Sequence, residues 1–79
     1  MTNKQKYDKI FIEVFGVDIS KLNDNFGKDN VDSWDSVHQL NLVNFAEDTF
    51  DIMLDPEQIL DFTSYSKGID ILKSQGIEI

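Results

Sequence analysis

At 79 residues the chain is long enough for one small domain and too short for two hydrophobic cores, so residues 1–79 are read as a single module. Its formal charge of −8 would repel polyphosphate, which argues against DNA or RNA binding and makes a basic partner the natural one. No cysteine is present, so neither a disulfide framework nor thiol chemistry can come from the chain itself.

The opening stretch MTNKQKYDKIF carries lysines, but no apolar run of signal-peptide length follows it. No segment approaches the roughly 18 apolar residues of a membrane span. The expectation is a cytoplasmic protein without membrane insertion. Tyr7, Ile10, Phe11, Val14 and Phe15 fall on one stripe of an amphipathic helix that Gly16 can terminate. From Gly16 to Asp35 runs a polar connection with Val17, Ile19, Leu22, Phe26 and Trp34 as scattered apolar anchors. A connection of that length is unusual in a compact domain, so it is functional or hides a turn of helix. Trp34 is expected to pin it to the rest of the fold.

The second helix is predicted from Ser36 to Thr49 or Phe50. In LDPEQILDF, Asp55 at the N-cap, Pro56 at the first helical position and Glu57 in the first turn signal a short third helix. A fourth starts at Thr63 or Ser64, places Tyr65, Ile69 and Leu72 on one face, and stops at Gly76. Gly68 inside it costs about 1 kcal/mol relative to alanine; it either lets helices approach closely or leaves interior room. The predicted fold is all-α, a four-helix bundle with three longer helices, one short helix and a long first loop.

On a wheel with Ser36 at zero, Leu42, Ala46, Phe50 and Val43 occupy an arc from about 240° to 340° that must face the core. Val37 and Leu40, at about 100° and 40°, fall on the other side among Asn41, Asn44, Glu47 and Asp48. Two apolar groups beside a helix-start serine make a small patch, although single exposed apolar residues are ordinary. Phe45, at about 180°, reads as a residue of the core boundary.

Ser36-Val37-His38-Gln39 matches the S-x-x-Q capping box, with Asp35 adding negative charge at the positive end of the helix dipole. The same position favours a bound phosphate, so a phosphoester on the Ser36 hydroxyl would sit in a favourable field. His38, the sole histidine, reads as a solvated helix residue. The aspartates 24, 29, 32 and 35 do not form a calcium loop: in the registers that start at Asp24 and Asp32, Phe26 and Trp34 occupy ligand positions. No metal site, Gly-rich phosphate loop or hydrolytic triad is visible.

Trp34-Asp35-Ser36-Val37, followed by Leu40, Leu42, Val43 and then Ala46-Glu47-Asp48-Thr49-Phe50, resembles the attachment region of the acyl carrier protein family. There an Asp-Ser-Leu step opens a helix whose later turns are acidic. The likeness extends to the order of helices and loops over most of the chain. It implies that Ser36 accepts 4′-phosphopantetheine from coenzyme A through a separate holo-synthase, a phosphopantetheinyl transferase, with magnesium. It further implies that acyl groups ride as thioesters on the imported thiol, and that the chain catalyses nothing itself but presents a tethered substrate at high effective concentration.

By the same resemblance Asp35 positions the helix start and the synthase complex, and Val37, Leu40, Asn44, Glu47 and Asp48 form the surface met by acyl-loading and acyl-transferring enzymes with basic docking faces. Ser33 precedes Trp34 and lacks the register. Val37 replaces the commoner leucine. His38, Gln39 and Asn41 soften the anionic face near Ser36, which points to a specialised lipid or secondary-metabolite pathway over housekeeping fatty acid biosynthesis. A monomer is expected. Two alternatives remain: an aminoacyl or peptidyl carrier of nonribosomal peptide synthesis, and a cofactor-free helical module in which Ser36 only caps while Val37 and Leu40 dock a partner.

Overall fold

The computed structural model describes residues 1–79. Four helices form in chain order: α1 (Asn3–Phe15), α2 (Ser36–Phe50), α3 (Pro56–Asp61) and α4 (Tyr65–Ser74). The chain is all-α, with three longer helices and one short one, as the sequence pattern predicts. None of them is long and apolar enough to cross a membrane.

The end signals of these helices act locally. Thr2 and Gln5 close a reciprocal capping box at the start of α1, and Gly16 ends it in the left-handed region at φ 64°, donating its N–H to the Ile12 carbonyl. Asp55 caps α3 in a second box with Gln58, with Pro56 at the first position. Ser64 rather than Thr63 caps α4.

The core is dominated by rings. α1 lies along α2 and buries Tyr7, Ile10 and Phe11 against Leu42, Val43 and Ala46; Phe26, Trp34, Leu54, Phe62, Tyr65, Ile71 and Leu72 complete the core. Phe50, the last member of the wheel's core arc, is half-buried at its edge. Ile69 is half-buried, whereas Ile71 is buried beside Leu72, so the inward face of α4 lies nearer Ile71 than the sequence spacing implies. Gly68 resolves to close approach: an added Cβ there would meet the Tyr7 hydroxyl and the Phe62 ring.

One polar group is buried with them. The Asp8 carboxylate accepts hydrogen bonds from the Tyr65 hydroxyl and from the Lys4 ammonium at 3.1 Å, so its charge is paired.

The long connection does contain a turn of helix, a 3-10 turn at Ile19–Lys21 capped by Asp18. Its second half is tied to the α3–α4 junction. Gly27 bridges Ser64, the Lys28 N–H donates to the Thr63 carbonyl at 2.8 Å, and the Tyr65 N–H donates to the Phe26 carbonyl at 2.8 Å. The radius of gyration, 11.3 Å, is close to the value of about 11.6 Å for a compact chain of this length. The connection is therefore folded onto the helices and brings its far end, with Trp34, to the start of α2.

Candidate functional site

Ser36 does not cap α2. Asp35 does: its backbone is extended and its carboxylate accepts from the His38 N–H at 2.9 Å. Ser36 is thus the first helical residue, and the expected reciprocal box with Gln39 does not form. A charged carboxylate is the stronger acceptor at the positive end of the helix dipole, so it takes the capping position and the helix begins at Ser36, one residue earlier than a Ser36 cap would give. Gln39 turns elsewhere, donating its side-chain amide to the Ile59 carbonyl of α3 at 2.8 Å. The Ser36 side chain is exposed, and its hydroxyl has no hydrogen bond within the chain.

Aromatic packing fixes this helix start from both sides. Trp34, two residues before the serine, lies 5.1 Å from the Phe15 ring, and His38, two residues after it, stacks on the same ring at 5.4 Å and 16°. The end of α1 therefore grips both flanks of Ser36. The Trp34 indole N–H is buried without a hydrogen-bond partner, which identifies the ring's packing as its role here. His38 is half-buried and places Nδ1 2.8 Å from the Asp35 carboxylate, a firmer placement than the solvated histidine expected from sequence.

The two hydrogen bonds from His38, first the backbone N–H and then the ring, hold the Asp35 carboxyl below the usual carboxylate range. A lowered folded-state pKa means that the stabilisation is present above the unfolded value of about 3.9 and is lost as pH falls through the lower folded value. Replacing Asp35 by asparagine keeps a capping side chain but removes the titration. Thermal midpoints measured from neutral pH down into that acid window should show the gap between wild type and Asp35→Asn shrinking as pH falls; a constant gap would reject the role of Asp35 charge.

A groove of about 320 Å³ opens beside the serine, bounded by Lys28, Ser36, Gln39, Leu40, Ile59 and Leu60. The Gln39–Ile59 hydrogen bond joins its two helical walls. Val37 is 61% exposed and Leu40 54%, so the outward apolar patch predicted from α2 is present, and Leu60 of α3, 73% exposed, borders the groove together with Leu40. Asn44 and Asp48 face solvent farther along α2. Glu47, expected among them, is half-buried, and its carboxylate accepts from the Leu54 N–H at 2.8 Å. Its geometry is that of a brace for the α2–α3 loop. Phe45 lies outside this surface, beside a separate hollow on the α1 side with Ile10, Lys6 and Lys9.

Neither protein-family models nor curated proteins give a match to the chain. Functional inference therefore rests on the chemistry of the α2 start and its groove. Sequence reasoning missed Gln39, Lys28, Ile59 and Leu60 as groove residues. Gln39 had a signal, because a polar residue at about 300° on the wheel lies inside the core arc and must find a partner. Lys28, Ile59 and Leu60 had none, because they arrive through tertiary pairing of the loop with the α3–α4 junction.

Proposed function

We propose that this chain is a carrier domain whose Ser36 bears 4′-phosphopantetheine and which presents acyl groups to partner enzymes. The observation that carries the reading is the division of labour at the α2 start. Asp35 performs the capping, and the neighbouring serine hydroxyl is exposed, uncommitted and held beside an apolar groove.

These residues fit the group. Ser36 offers a free hydroxyl for a phosphoester at a helix N-terminus, and Leu40, Ile59 and Leu60 offer apolar wall to whatever the arm carries. When bound, the arm supplies the thiol that the chain lacks and on which an acyl group is held as a thioester. Asp35, Trp34 and His38 set the position of the serine; Leu40 and Leu60 border the groove and Val37 adds exposed apolar surface on α2; Asn44 and Asp48 continue the surface along α2. The net charge of −8 favours partner enzymes with basic docking faces and speeds their encounter. In this reading the chain has no catalytic activity of its own, acts as a monomer in a specialised lipid or secondary-metabolite pathway, and works in the cytoplasm.

Intact mass after incubation with coenzyme A, magnesium and a broad-specificity holo-synthase tests the proposal. The expected result is a gain of one phosphopantetheine by the wild type and none by Ser36→Ala. No gain by a folded wild type, with the synthase active on another carrier, would leave Ser36 as a plain first-turn residue and make the exposed Val37, Leu40 and Leu60 a cofactor-free docking rim.

A further inference from the structure

We propose that Lys28 is the counter-charge for a phosphate ester on Ser36, holding the phosphate at the mouth of the groove. The inference rests on the reading of Ser36 as the attachment site and adds a residue that the α2 sequence does not contain.

Lys28 borders the same groove as Ser36 and is the one cationic side chain among its lining residues. Its backbone is not free to drift, since its N–H donates to the Thr63 carbonyl at 2.8 Å and the preceding Gly27 bridges Ser64. The ion pairs of the chain are Lys4–Asp8 and Asp35–His38, so the Lys28 ammonium has no carboxylate within pairing distance. Asp24 and Asp29 share with it a polar hollow that Ser36 does not line, but neither pairs with it.

Electrostatics make an unpaired lysine at this place consequential. The chain has 15 acidic and 7 basic residues, so the average field repels a phosphate. At Ser36 itself the Asp35 carboxylate stands next in sequence, takes the His38 N–H, and engages the imidazole through Nδ1. The dipole of α2 favours an anion there and the Asp35 charge opposes it. Lys28 supplies the remaining positive charge from the groove side, a point-charge contact of the kind lysine makes with phosphate. A phosphate held toward Lys28 directs the rest of the arm along Leu40, Ile59 and Leu60 rather than over Asp35.

The test uses the full chain with Lys28, Lys28→Arg or Lys28→Gln, in two forms: loaded from coenzyme A by the holo-synthase, and assembled by chemical ligation with phosphoserine at position 36. In the phosphoserine form, a ³¹P titration should place the second ionisation lower with lysine or arginine than with glutamine by roughly 0.2–0.7 pH units, the size of one exposed ion pair. In the loaded form, the ³¹P resonance should move between about 0.01 M and 1 M salt, where the screening length falls from about 30 Å to about 3 Å, in the lysine and arginine chains only. Equal titrations and equal salt responses in the glutamine chain would overturn the role of Lys28 while leaving the carrier reading intact. Failure of the wild type to load would overturn the carrier reading, with the phosphoserine titration still deciding for or against Lys28. Lys28 is exposed and its structural hydrogen bond is made by the backbone, so all three chains should fold alike.

Discussion

Phe11→Ala should destabilise the domain by about 3–5 kcal/mol, the usual cost of removing a fully buried phenylalanine. The magnitude follows from where the ring sits. Phe11 is fully buried, and its centroid lies 4.9 Å from Tyr7, 5.4 Å from Tyr65, 5.8 Å from Phe26, 5.9 Å from Trp34, 6.0 Å from Phe15 and 6.3 Å from Phe62. Those partners come from α1, the long loop, the α3–α4 junction and α4, so through its ring neighbours alone this side chain joins four parts of the fold, in the same core that α2 lines with Leu42, Val43 and Ala46. A cavity there cannot be closed by one neighbour moving inward, because each neighbour is held by the others. A domain of this size has in total roughly 4–12 kcal/mol of stability. The thermal midpoint should therefore fall by more than about 10 °C, given about 4–8 °C per kcal/mol for domains of this size. A fall of only a few degrees would show that the cluster repacks and that the loop is held by its backbone bonds to Thr63 and Tyr65 instead. The functional consequence lies in the same contacts: Phe15 and Trp34 fix the start of α2, and loss of their common neighbour loosens the placement of Ser36.

The parts of this molecule that could be read from sequence are those fixed by neighbours within a few residues. Gly16, Asp55-Pro56 and Ser64 stop and start helices through backbone chemistry that any sequence carries openly. The inward arc of Leu42, Val43 and Ala46 and the outward placement of Val37 and Leu40 follow from helical period alone. Thr2-x-x-Gln5 carries the same capping pattern as Ser36-x-x-Gln39, and there the box forms. The second pattern fitted the box by composition yet does not form it. The difference lies outside the pattern: Asp35 precedes the serine as a better cap, and α3 offers Gln39 the Ile59 carbonyl. Glu47 likewise looked like surface charge until the α2–α3 loop returned the Leu54 N–H to it. Side chains near the edge of the core arc have two fates, solvent or a partner from another element, and periodicity cannot choose between them. Lys28 is the extreme case, since nothing within its own stretch of sequence places it beside a serine eight residues later; the Gly27–Ser64 bridge does.

Gly68→Ala is expected to destabilise the domain even though alanine is the better helix former. In an exposed helix interior the change would stabilise by about 1 kcal/mol. Here a Cβ would clash with the Tyr7 hydroxyl oxygen and lie 2.7 Å from the Phe62 ring. Both rings are fully buried, so neither can swing away into solvent. Over-packing of this kind costs about 1–3 kcal/mol and occasionally more, and contacts this short on two rigid rings belong at the upper end, so the clash outweighs the propensity gain.

The Tyr7 hydroxyl also donates to the Tyr65 carbonyl at 2.6 Å, and the Tyr65 N–H in turn donates to the Phe26 carbonyl. Displacing Tyr7 thus disturbs the chain of contacts that ties α1 to α4 and the loop. Tyr7→Phe alone should destabilise by about 1 kcal/mol, the net worth of that hydrogen bond, because the Tyr65 carbonyl also opens the hydrogen-bond ladder of α4 and is not left wholly unpaired. In the Gly68→Ala background the same change removes the shortest clash, so the two substitutions should be less than additive, with a coupling of about 1 kcal/mol. Rescue stays incomplete because the Phe62 contact persists. Urea unfolding of the wild type, both single variants and the double variant measures this directly. If Gly68→Ala proved more stable than the wild type, α1 and α4 would have room between them, and the close approach that closes the interior at this point would have to be abandoned.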